Sequence, residues 1–126
     1  MADDDAREEV HEGPPEPVVP DDEVAAAIVA RFPEAGFDRS HGQPVVYVNR
    51  SVFAEVALFL RDEQQFTMCV DVTATDHLLD GERYVPSAAW NGAAPATERY
   101  EVVANYLSHV RNRRVRVICE IGRAHV

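Results

Sequence analysis

Apolar residues recur at helical spacing twice in the first half of the chain and at alternate positions in the second half. The first helical run is Val24, Ala27, Ile28 and Arg31. Asp21 or Asp22 is placed to cap it, the acids that follow favour its positive end, and Pro33 stops it. PEAGFDRSHGQP then reads as a turn-rich link, and Val45–Val48 (VVYV) as a short buried strand between Pro44 and Asn49. Ser51 is placed to cap a second helix. Its stripe Val52, Val56, Phe59 and Leu60 has the i, i+4, i+7, i+8 spacing of a face turned to a core, and it ends near RDEQQ.

The later pattern has period two. Phe66, Met68, Val70 and Val72 alternate with Thr67, Cys69, Asp71 and Thr73. This places Val70 on the apolar side of a strand, so that Val70→Asp is expected to unfold the domain. Cys69 and Asp71 share the less apolar face. Asp80-Gly81 signals a turn before a short extended piece ending at Pro86, and SAAWNGAAPATE reads as a loop. RYEVVANYLSHV fits either period. A strand is preferred, because Asn112 and a basic turn lead directly into the alternating VRVIC, making a hairpin around RNRR. The order α-β-α-β-(β)-β-β predicts an α+β domain: two N-terminal helices packed on one face of a small, largely antiparallel sheet.

Charge divides the chain. Residues 1–23 hold ten acids and one base, a net −9, and the other residues hold twelve acids and eleven bases, a net −1. With four prolines in residues 1–20, that stretch is expected to be a disordered acidic tail ahead of a folded unit spanning 21–119. All twelve bases are arginine. A net charge of −10 argues against a nucleic-acid binder. No apolar run approaches the ~18–20 residues of a membrane span, and the acidic N-terminus has no apolar signal-peptide core.

Little catalytic chemistry is visible. Cys69 and Cys119 fall on different strands, without a CxxC or a neighbouring His, and read as inert strand cysteines. Asp71, Asp76, His77 and Asp80 gather near one strand end, where carboxylates commonly cap turns. His41 and His109 stand alone, and no glycine-rich phosphate loop occurs. Arg111, Arg113, Arg114 and Arg116 form a local basic patch suited to an acidic partner or to lipid head groups.

The helix running into FLRDEQQF, then CVDVTATDH, then ERYEVVANYLSHVRNRRVRV, with RFPEAGF upstream, resembles the 30-kDa-type subunit of respiratory complex I, NADH:quinone oxidoreductase. The resemblance covers residues 24–117, and the acidic Pro-rich start is similar to actinobacterial members. It implies an accessory subunit of an oxidoreductase and translocase, with no catalytic residue of its own. It implies a place in the hydrophilic arm, peripheral on the cytoplasmic face of the membrane, with no transmembrane segment and no nucleic acid. It implies no flavin and no iron–sulfur cluster in this chain, FMN and the clusters being carried by partner subunits. The partners implied are the quinone-site subunit and the terminal-cluster subunit. Electron tunnelling falls steeply with distance, so a subunit that fixes its neighbours matters without carrying an electron. Residues expected at the interface are Asp76, His77, Arg111, Arg113, Arg114 and Arg116.

The end of the chain departs from that family, which continues into an acidic and aromatic segment closing in Asp-Leu-Phe-Gly. EIGRAHV looks like the translation of a sequencing-library adapter, so 120–126 are expected not to be natural sequence and VRVIC is expected to be an unprotected edge strand. Two rival functions come from the residues alone: a free-standing interaction module docking through Arg111–Arg116, and a small hydrolase using Asp71, Asp76 and His77.

Overall fold

A computed structural model describes residues 20–79, 84–87, 92–95 and 98–121, with no side-chain detail at 85–87 and 92–95. The start of the chain to residue 19, the Asp80-Gly81 turn and residues 122–126 lie outside the described residues.

The chain folds in the order α1 (Glu23–Arg31), β1 (Gly36–Ser40), β2 (Gln43–Tyr47), a 3-10 turn (Arg50–Val52), α2 (Phe53–Glu63), β3 (Met68–Asp76), β4 (Tyr84–Ser87), β5 (Gly92–Pro95), β6 (Tyr100–Ser108) and β7 (Arg113–Ile121). Five strands make one sheet in the order β1-β2-β7-β6-β3, and β4 and β5 make a separate ribbon. Every pairing is antiparallel except β2 with β7, which run parallel. The expected α+β class is therefore the observed one, with a single parallel pair at its centre.

One face of the sheet carries the core. Val46, Val115, Val117 and Cys119 alternate on the two central strands and are buried with Phe37 of β1. Val24, Ala25, Ile28 and Phe32 from α1, and Val56, Phe59 and Leu60 from α2, close over them in the same cluster. The α2 stripe thus falls where its spacing placed it, whereas in α1 the buried set is Val24, Ala25 and Ile28, with Arg31 exposed rather than on the core face. Phe32 meets Phe59 edge to face at 5.9 Å, joining the two helices. At the end of α2, Gln65 takes a left-handed conformation and the Phe66 N–H donates to the Leu60 carbonyl at 2.9 Å. The chain reverses there and turns Phe66 inward, 2% exposed. The opposite face is covered only in part: the β4–β5 ribbon lies against β1 and β2, and Val45 and Ile118 are buried there.

Several expectations are corrected. GFDRS is a strand rather than a link, hairpinned to β2 through His41 (φ 55°) and Gly42 (φ 79°). Both turn residues are left-handed, as a two-residue hairpin of the favoured twist requires, and histidine in place of Asn or Asp concealed the signal. Gly92–Pro95 is a strand rather than loop, formed by backbone pairing with β4 despite poor intrinsic propensity. Ser51 does not cap α2; it sits within the 3-10 turn, and neither that turn nor α2 has a side-chain cap bond. VRVIC is not an edge, since β7 lies between β2 and β6 and runs on to Ile121.

The largest correction concerns β3. It is an edge strand, and it is exposed along all nine residues. Cys69 pairs with Tyr106 and Asp71 with Asn105, so Val70 is an unpaired bulge residue. Val70 is 41% and Val72 58% exposed. The alternation is real, but the helices do not reach across the sheet to cover it. Val117→Asp, at 1% exposure, should therefore cost several kcal/mol, of the order of the ~5–15 kcal/mol that holds a domain folded, and leave no cooperative thermal transition. Val70→Asp should melt within a few degrees of the parent, a change of about 1 kcal/mol or less. Equal loss in both variants would place β3 in the core.

Candidate functional site

The parallel pairing of β2 and β7 brings their starting turns to the same end of the sheet. The β1–β2 turn, the β6–β7 turn and the N-terminus of α1 meet there. They enclose an open cavity of about 650 Å³ lined by Arg39, Arg111, Arg113, Arg114 and Asp22, together with Gly42 and Leu107. The sequence marked three of these arginines; Arg39 joins them through the hairpin that the sequence did not reveal.

Asp22 organises this end. Its Oδ1 accepts from the N–H groups of Val24 (2.9 Å) and Ala25 (3.0 Å), capping α1. Its Oδ2 accepts from Arg113 Nη1. The residue is buried to 7% exposure, so the carboxylate depends on these donors. Its neighbours do likewise at the surface: Asp21 pairs with Arg39, and Glu23 pairs with Arg111 at 2.7 Å. Arg111 also donates to Gln64 Oε1 at 3.0 Å, reaching the end of α2. Arg116 lies outside the cavity. Its Nε donates to Asn105 Oδ1, and Asn105 Nδ2 donates to Asp71 Oδ1, a polar rung across β7, β6 and β3. Arg111, Arg113 and Arg116 are thus tied within the chain, and Arg114 makes no ion pair among the described residues. The basic patch is in large part a clasp that holds α1 to the sheet.

Asp76 and His77 sit at the opposite end of β3 and β6. Asp76 accepts two bonds from Arg99, both 2.8 Å, and one from the Leu78 N–H at 3.0 Å. The Arg99 hydrogen bonds chiefly hold its carboxyl down, to a pKa of about 2. His77 Nε2 lies 3.1 Å from Glu101 Oε1, with both side chains mostly buried (16% and 9% exposed). The His77 N–H also donates to the Arg99 carbonyl. Asp71 stands six residues up the strand from His77, about 20 Å away in extended chain. The hydrolase constellation of Asp71, Asp76 and His77 is therefore not assembled. Sequence reasoning missed Arg99, Glu101 and Asn105, whose roles appear only once the β3–β6 register is known.

The two cysteines lie far apart in character. Cys69 is exposed on the edge strand, and Cys119 is buried in the core, where burial pushes its thiol pKa up. Among the described residues no group of three or more His, Cys, Asp or Glu side chains gathers to hold a metal ion. No described helix is long and apolar enough to cross a membrane.

The fold and these surfaces describe an α+β domain with one clasped end and one open, partly apolar strand edge. Over residues 46–126, more than half of its length, the chain matches the family of the respiratory-chain NADH dehydrogenase 30 Kd subunit, and it belongs to that family. The match begins within β2, and α1 and β1 precede it. No curated protein matches the chain.

Two outcomes test the site. Asp22→Ala should lower the urea midpoint by the equivalent of about 1–2 kcal/mol at unchanged m-value, whereas Asp21→Ala, at the exposed pair, should leave it almost in place. For Asp76 the folded-state pKa is depressed, so the contribution of its ion pair is complete above about pH 4 and disappears as the pH falls toward 2. A carboxyl NMR titration should find a midpoint near 2. Arg99→Gln should raise it toward the ordinary value of ~3.9.

Proposed function

We propose that the chain is a structural, cofactor-free subunit of the hydrophilic arm of a proton-translocating NADH:quinone oxidoreductase. On this reading it contributes to catalysis by position. It holds the quinone-site subunit and the terminal-cluster subunit at fixed separation on the cytoplasmic face of the membrane, while FMN and the iron–sulfur clusters belong to partner subunits. Family membership carries the reading, and the state of β3 supports it. A nine-residue edge strand exposing Met68, Val70 and Val72 is a surface that proteins ordinarily cover, because unpaired N–H and C=O groups beside apolar side chains invite another chain.

The alternative of a free-standing module docking through Arg111–Arg116 is less well supported. Arg111, Arg113 and Arg116 are already bonded to Glu23, Gln64, Asp22 and Asn105.

Tagged chain expressed in its source organism should co-purify with the other subunits of the oxidoreductase from detergent-solubilised membranes. The double variant Val70→Asp/Val72→Asp should fold, by thermal melting, and yet recover those subunits at least about tenfold less well, since two desolvated unpaired charges would face the interface. Equal recovery of the parent and the folded variant would remove β3 from the interface. A parent chain that brings down no redox subunit would remove the proposed role itself.

A further inference from the structure

One hydrogen bond fixes the direction of the amides along β3. Asp76 faces Tyr100 across the β3–β6 ladder, so His77 faces Arg99, and the His77 N–H donates to the Arg99 carbonyl at 2.8 Å. In an antiparallel pair, residues that exchange hydrogen bonds alternate with residues that do not. The register runs unbroken from Asp76 against Tyr100 to Asp71 against Asn105. Thr75, Thr73 and Asp71 therefore bond inward to β6, while Asp76, Ala74 and Val72 turn their N–H and C=O groups outward. Cross-strand partners lie on one face, so the side chains of Val72 and Ala74 join those of Ala104 and Val102. Ala104 is fully buried, and Val102 packs against the core cluster. Val72 and Ala74 thus combine an open backbone edge with apolar side chains that prolong the core face. The bulge at Val70 breaks the ladder just before them and leaves Asp71–Asp76 as its regular stretch.

Charge selects what can pair there. Met68–Asp76 carries two acids, Asp71 and Asp76, and no base. Asp76 is held by Arg99. Asp71 accepts from Asn105 at 2.8 Å and makes no ion pair among the described residues. A second copy of the chain would bring two further acids and no base to the seam, and like charges across paired strands are destabilising. We propose, resting on the subunit role argued above, that a neighbouring subunit of the oxidoreductase adds a strand to β3 along Asp71–Asp76. Its backbone bonds to Val72 and Ala74, its residues beside those two are apolar, and a Lys or Arg stands beside Asp71. The main-chain bonds supply attachment, and the apolar alternation with one base supplies the choice of strand.

Proline separates backbone pairing from side-chain contact, because it removes an N–H and is tolerated in a strand only where that N–H faces outward. The test uses the tagged full chain and three single variants, Ala74→Pro, Thr73→Pro and Asp71→Lys. Each is melted, and each is used to recover the other subunits from detergent-solubilised membranes of the source organism. Ala74→Pro should melt within a few degrees of the parent. Thr73→Pro, whose N–H bonds to β6, should melt about 5 °C or more below it. Ala74→Pro and Asp71→Lys should each recover the redox subunits at least about tenfold less well than the parent. Equal melting of the two proline variants would overturn the outward direction assigned to Ala74, and the proposal with it. Parent-like recovery by Ala74→Pro, with Val70→Asp/Val72→Asp still deficient, would leave β3 a side-chain contact and overturn strand addition alone. Parent-like recovery by Asp71→Lys would overturn the basic residue assigned to the partner. A parent chain that recovers no redox subunit would overturn the subunit role and this pairing together.

Discussion

The rest of the structure depends on the parallel pairing of β2 with β7. Among the described strands it is the one hydrogen-bonded junction between the β1–β2 hairpin and β7, β6 and β3. It rests on Val45, Val46 and Tyr47 set against Arg116, Val117 and Ile118. Parallel neighbours cannot be joined by a tight turn, and here the connection contains α2, β3, the ribbon and β6. Because the two strands start at the same end, their preceding turns are brought side by side. The arginines of 111–114 and Arg39 are thereby concentrated at one edge of the core. That concentration of like charge would be unfavourable without Asp22, which binds Arg113 while capping α1. One buried carboxylate therefore stabilises the helix start and neutralises part of the basic cluster the topology creates.

The same arrangement leaves the other side of the sheet unfinished. Two helices of nine and eleven residues pack over β1, β2 and β7 and leave β3 uncovered. An edge strand in that position is held by pairing with β6 alone, with its apolar residues in water. A bulge at Val70 and the charged residues Asp71 and Asp76 blunt it as a site for indiscriminate pairing. For a member of the 30 Kd subunit family, a rigid sheet with one open edge suits a part that is completed by its neighbours. Its contribution on the proposed reading is to hold distances, and a core built from fully buried Val, Ile and Leu side chains is stiff enough to do so.

Much of the fold was legible in the amino-acid pattern. The stripe Val52, Val56, Phe59 and Leu60, a cap at Asp21 or Asp22, and the alternation in VRVIC each depend on neighbours a few residues away, and local spacing reports such dependence faithfully. The β1–β2 hairpin was hidden because its turn is His41-Gly42 rather than the Asn-Gly or Asp-Gly pair that signals such a hairpin. The exposure of Val70 was hidden for a different reason. Alternation tells which residues share a side of a strand, but not whether anything covers that side; coverage depends on how far α1 and α2 extend over a sheet whose order places β3 last. The candidate site was legible as residue types and not as partners. Arg111 and Arg113 were visible as a patch, while their bonds to Glu23 and Asp22 span 88 and 91 residues of sequence. No local pattern encodes such a contact.

On the proposed reading, β3 is the face on which the assembled complex closes. Hydrogen exchange measured on the intact membrane complex and on the isolated chain tests this directly. The β3 amides pointing away from β6 should exchange rapidly in the isolated chain and become protected in the complex, at least about a hundredfold for a backbone bonded across an interface. The buried amides of β7 should be protected in both. Rapid exchange along β3 in the complex, matching that of the isolated chain, would remove β3 from the interface and place the contact elsewhere on the domain.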